Sequence, residues 1–141
     1  MKKEVKIGEF GPIYAQFKNK PKDAILFLKK KKNGECLKAL HRQETGFVDI
    51  VWGKNDENNR GYGLKHIIEK HEKEIQKLGF EVEEFIPMAF QLGTLKKTRL
   101  DFRILIENEH YRVVILTKWK ERKKTLLLTS FGITQKKKSK K

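Results

Sequence analysis

The run TRLDFRILIENEHYRVVILTKWKERKKTLLLTSFGI, residues 98–133, decides the fold class. Three of its segments, 98–106, 111–119 and 125–133, are rich in β-branched, aliphatic and aromatic residues. The short charged segments ENEH and KERKK separate them. Strand formers broken by short polar connections predict three consecutive antiparallel strands. Upstream, GFVDIVWG (residues 46–53) places Val48, Ile50 and Trp52 on one face and Phe47, Asp49 and Val51 on the other, which predicts a further strand.

Helical signals surround that strand. Pro21–Asp23 reads as a helix start, with Asp23 able to cap. AILFLKKKKNG (24–34) carries the helix to a stop at Asn33-Gly34, with lysines 29–32 at its wet C-terminal end. Glu35–Arg42 reads as a second short helix. The turn-rich KNDENNRGYG (54–63) leads into a helix over GLKHIIEKHEKE. FEVEEFIPMAFQLGTL (80–95) fits a strand followed by an irregular crossing. Residues 1–20 read as an extended lead-in, 136–141 as a disordered lysine-rich tail, and 1–135 as a single domain. The order predicts an α+β protein with helices gathered on one side of a mostly antiparallel sheet.

The charge narrows the partners. Thirty-three basic against 18 acidic residues give +15, which attracts polyanions, nucleic acid first. An anionic membrane ranks second and an acidic protein third. No apolar run approaches the ~20 residues of a spanning helix. The charged N-terminus has no apolar stretch after it, so no signal peptide is expected. The single cysteine, Cys36, forms no internal disulfide and reads as packed; a cytoplasmic setting is expected.

His66 and His71 stand five apart on the predicted helix. His71 falls in the stripe of Leu64, Ile67, Ile68, Ile75 and Leu78, as a core-facing residue or a catalyst. His66 falls about 140° away, among Lys70, Lys73 and Lys77, as a surface residue or a general base. The helix N-terminus and basic surround would keep its imidazole neutral, as a base requires. Two zinc ligands on one helix prefer a spacing of four, and no acid or cysteine cluster accompanies the pair, so no metal site is expected. Arg112 and Lys118 share one side of a regular strand and suit a phosphate. Thr129 and Ser130, on opposite faces, are phosphate-bonding hydroxyls or ordinary strand residues. Lys65 flanks His66; Tyr62, Trp52 and Trp119 could stack on bases or pack in the core. Asp49 is a further inward-facing acid candidate.

In order, GFVDIVWG, GLKHIIEKH, YRVVILTKW and TLLLTSFG resemble the phage- and mobile-element-associated domains of the barnase–EndoU–colicin–RelE-like (BECR) nuclease superfamily. The lead-in FGPIYAQFKNKPKDAILFL (10–28) also resembles the segment preceding such domains. The resemblance implies N-terminal helices packed on a curved, mostly antiparallel four-stranded sheet. It implies a metal-independent endoribonuclease without a cofactor, a toxin or mobile-element effector that leaves a 2′,3′-cyclic phosphate. The implied catalytic set is His66, His71, Arg112, Thr129 and Ser130, with Lys65, Lys118, Tyr62 and Trp52 as substrate contacts. RNA is the implied substrate, and an acidic antitoxin or immunity protein a further partner. Two rivals remain: a non-catalytic nucleic-acid-binding module of a mobile element, and an inactive domain that meets an acidic protein.

Overall fold

The computed structural model describes residues 6–58, 60–97 and 102–133, so the tail expected at 136–141 lies outside the described residues. Among the described residues the elements run β1 (Ile7–Gly8), β2 (Gly11–Tyr14), α1 (Pro21–Lys31), β3 (Glu35–Arg42), β4 (Gly46–Val51), β5 (Lys54–Asn55) and β6 (Gly61–Tyr62). They continue with α2 (Gly63–Lys77), α3 (Val82–Leu92), β7 (Thr94–Lys97), β8 (Arg103–Glu107), β9 (Tyr111–Trp119) and β10 (Arg122–Gly132).

The α+β class holds, but the curved four-stranded sheet under N-terminal helices does not. A mixed sheet of eight strands is ordered β1-β2-β3-β4-β10-β9-β8-β7, and a small hairpin, β5-β6, stands apart from it. Two pairings are parallel, β2 with β3 and β4 with β10. The four expected strands are present, and four more come from segments assigned otherwise. Two lie in the lead-in, one at the end of the ambiguous stretch, and one in the expected second helix.

That last difference has an identifiable cause. In Glu35–Arg42, Cys36, Ala39 and Leu40 are apolar at i, i+3 and i+4, a helical spacing. The segment is a bulged strand. Cys36 pairs with Ile50 and Leu40 with Val48, so three β3 residues oppose the single Asp49. Lys38 takes φ 54° at the bulge and donates its N–H to Asp49 Oδ1 at 2.7 Å. The extra residues re-aim the chain and bury both Cys36 and Ala39-Leu40. The buried Cys36 thiol is pushed up to about 12 by desolvation, and by Glu35 and Asp49 beside it.

α1 starts with Pro21 at the first turn, where the missing N–H costs nothing; Asp23 lies in that turn without capping. It ends just before the expected Asn33-Gly34 stop, in a left-handed Lys32 whose N–H bonds the Leu28 carbonyl. Lys29 leaves the wet end and pairs with Glu83 of α3 at 2.7 Å. α3 replaces the expected strand and crossing. Val82, Phe85, Ile86, Ala89 and Phe90 form one buried stripe, and Glu81 with Glu84 makes a capping box. Pro87 breaks one helical hydrogen bond but not the stripe, which the core holds in place. Phe85, Phe90, Ile25, Leu28, Ile50, Ile67 and Ile115 are fully buried, each contributing about 1.5–3 kcal/mol.

β4 and β10 meet at a single register pair, Asp49 with Leu126. Two bulges re-aim β10. The second, between Leu127 and Thr129, leaves Leu127 opposite Ile115 but Thr129 opposite Val114. It turns Ser130 to the side of core residue Val113, and Thr129 and Phe131 to the side of Arg112. No described helix is long and apolar enough to cross a membrane.

Candidate active site

α2 follows the β5-β6 hairpin directly. Gly63 at φ +83° makes the turn, and its neighbour Gly53 admits no side chain, since a Cβ there would lie 2.1 Å from the Tyr62 carbonyl oxygen. This close approach folds the hairpin over the first turn of α2. His66, expected on the surface, is therefore only 6% exposed. Asn55 covers it: His66 Nδ1 and Asn55 Oδ1 are 2.8 Å apart, and Asn55 Nδ2 donates to Glu69 at 3.0 Å. With the Asn55 amide oriented by Glu69, its oxygen accepts from His66 Nδ1–H, and the Nε2 lone pair is left as the basic one.

His71 is 9% exposed, as its place in the apolar stripe predicts. Its Nδ1–H donates to Glu74 Oε2 at 3.2 Å, and the same oxygen accepts the Gly132 N–H at 3.1 Å. α2 is thereby tied to the end of β10. The ring of His71 stacks on Phe131 at 4.9 Å. Despite the 140° between their positions on the helix, the two imidazoles turn together, edge to face at 5.6 Å.

Both imidazoles are held neutral. Burial, then His71, then Lys70 lowers His66; burial, then Lys70, lowers His71 to about 4. The cause is chiefly desolvation rather than the helix terminus expected from the sequence. The unfolded His71 takes up a proton near pH 6.5, the folded one only near 4, so the stabilising difference is complete above 6.5 and is lost as pH falls from 6.5 to 4. The expected loss is about 3 kcal/mol, measured as urea unfolding across that range. His71→Phe should flatten this part of the profile.

Arg112 reaches the cluster through Phe131, its partner across the β9–β10 ladder, with Cζ 5.9 Å from the ring centroid. Its Nε donates to Glu107, which burial alone would raise but which Arg112 and Lys96 hold below the ordinary range. The terminal amino groups of Arg112 make no hydrogen bond among the described residues. Thr129 has a buried hydroxyl without a hydrogen-bond partner among the described residues. Ser130 is fully buried and donates to the Arg112 carbonyl oxygen at 3.2 Å, so it fastens β10 to β9. Lys118 lies six residues from Arg112, roughly 20 Å along the strand. There it faces the Phe102 ring at 4.5 Å and Glu121 at 3.9 Å, and does not join the cluster. Among the described residues, no three His, Cys, Asp or Glu side chains are grouped to hold a metal ion.

Trp52, Lys65 and Tyr62 converge elsewhere, on a groove of about 470 Å³ beside the β5-β6 hairpin. Asn55 lies in its wall and links it to His66. Tyr62 and Trp119 also pack on each other and on Phe10, at 4.8 to 6.1 Å, which fixes the lead-in against β9. Asp49 is an acid in an ion cluster, bonded to Lys124 at 2.7 Å. Asn55, Glu74 and Phe131 carry no functional signal in the sequence. Asn55 reads only as a turn residue, and Phe131 as strand hydrophobicity.

Paired neutral imidazoles on a packed helix, a guanidinium on the neighbouring strand and a cationic groove alongside gather proton-transfer and anion-binding groups on one side of the molecule. The phage-Barnase-EndoU-ColicinE5/D-RelE like nuclease 1 family model matches residues 39–137, and the chain belongs to that family. The match begins inside β3, so the lead-in and α1 lie outside it. No curated protein and no solved structure matches the chain.

Proposed function

We propose that this nuclease is an endoribonuclease that cleaves by attack of the RNA 2′-hydroxyl on the adjacent phosphorus, without a metal. The observation that carries the reading is the histidine pair, each Nδ1–H anchored and each ring neutral. His66 Nε2 takes the 2′-hydroxyl proton as the O2′–P bond forms. The entering phosphodiester favours protonation of the second imidazole. His71 then gives its proton to O5′ as the P–O5′ bond breaks, leaving a 2′,3′-cyclic phosphate and a 5′-hydroxyl. Arg112 stabilises the charge that grows on the phosphoryl oxygens, and Thr129 supplies a hydroxyl to orient one of them. Ser130 positions Arg112 through the strand. Lys65, Trp52 and Tyr62 hold the flanking RNA, and Lys118 a more distant phosphate. A role as toxin or mobile-element effector, countered by an acidic antitoxin or immunity protein, fits the +15 charge and the phage-associated family.

The test is incubation with total RNA in EDTA. Cleavage that survives chelation and leaves cyclic-phosphate ends is the expected result; intact RNA removes the proposal. Arg112→Ala should lower kcat/KM by about 10²-fold, with Arg112→Lys restoring only part, because a point charge lacks the planar fork.

A further inference from the structure

Trp52 is pinned at both backbone ends. Its N–H donates to the Gly34 carbonyl, and its carbonyl accepts from Lys65 N–H, both at 2.8 Å. The side chain is partly buried against the core, yet it lines three adjoining hollows of about 420, 470 and 220 Å³. The two larger ones fall within the roughly 300–1,000 Å³ of small-ligand sites. Around this indole stand Lys32, Lys54, Arg60 and Lys65. None of the four is in an ion pair among the described residues.

The carboxylates in the same walls are engaged. Asp56 accepts the N–H groups of Asn58 and Arg60 from its own loop. Glu69 accepts from Asn55 Nδ2. Glu9 is taken by Trp119, Lys120 and Arg122. A fixed aromatic surface ringed by cations outside any ion pair among the described residues suits a ligand that is flat, apolar on its faces and anionic at its edge. An unpaired nucleotide within a strand has that chemistry. A base inside a duplex has no free face to offer.

We propose that the Trp52 groove is a subsite for one unpaired nucleotide of the substrate strand, its base on the indole and its flanking phosphates on Lys65, Lys54 and Arg60. The proposal rests on the nuclease reading for its substrate class. It adds that this protein selects single-stranded RNA. Asn55 joins the groove to His66, so the held nucleotide lies close to the scissile phosphate.

The probe is a labelled 2′-O-methyl oligoribonucleotide, which cannot be cleaved by its own 2′-oxygen, measured single-stranded and as a duplex. Trp52→Leu is expected to raise the single-strand Kd about tenfold and the duplex Kd much less. Lys32→Glu with Arg60→Glu, at exposed positions that do not touch the core, should weaken single-strand binding to a similar degree and shallow its salt dependence. An equal loss on duplex overturns the selectivity. An unchanged single-strand Kd in both variants overturns the subsite while leaving the nuclease proposal to the cleavage assay. Weakened binding in both variants from a wild type that cuts no RNA retains the subsite and sinks the nuclease proposal.

Discussion

His66→Ala is expected to slow RNA cleavage by about 10²–10⁴-fold, the usual worth of a positioned general base. The prediction follows from three facts at that ring. Asn55 fixes its tautomer, burial keeps it neutral, and the His71 ring meets it edge to face with centroids 5.6 Å apart. In the proposed mechanism the two imidazoles act on one phosphate, so the double His66→Ala/His71→Ala variant should lose little beyond the worse single one. The acid limb of the free enzyme's kcat/KM profile should fall below the ordinary histidine range, because both rings are lowered. His66→Ala keeps the helix and removes a side chain from its covered first turn, so circular dichroism should be unchanged. Cleavage at the wild-type rate by both single variants would falsify the assignment of the pair.

The second large effect is on stability. Lys124→Ala is expected to cost about 3–5 kcal/mol, read as a lower urea midpoint. Lys124 Nζ bonds Asp49 at 2.7 Å and also Glu35, whose residue is only 4% exposed. Burial would lower the lysine, but the two carboxylates raise it and keep it charged. Removing the ammonium strands a buried carboxylate at the place where β4 and β10 touch at one register pair. Replacing all three groups by neutral ones of similar volume, with Glu35→Gln, Asp49→Asn and Lys124→Met, should recover most of the loss, since no buried charge then lacks a partner. A Lys124→Ala chain as stable as wild type would show that the seam is held by packing alone.

The Asp49 of this seam also hides one strand of the sheet from local pattern. Strand character in β4, β9 and β10 is legible, because apolar and β-branched residues dominate each run. β3 was not, because a bulge held by the Asp49 carboxylate changes a period of two into a helical spacing. α3 was obscured by Pro87, although its stripe of Phe85, Ile86, Ala89 and Phe90 has the helical period throughout.

Composition and local pattern alone determined the cationic character, the α+β class, the α2 helix with His71 on its apolar face, and the strands that carry Arg112 and Thr129. These depend on side-chain type and spacing within a few residues. Only the tertiary structure decided that His66 is covered, that a hairpin amide sets its tautomer, that Phe131 joins His71 to Arg112, and that Lys118 stands apart. Those depend on which segments meet after the chain closes: one glycine-permitted approach of backbone to backbone places Asn55, and one bulge in β10 sets Phe131 opposite Arg112 and Ser130 opposite Val113.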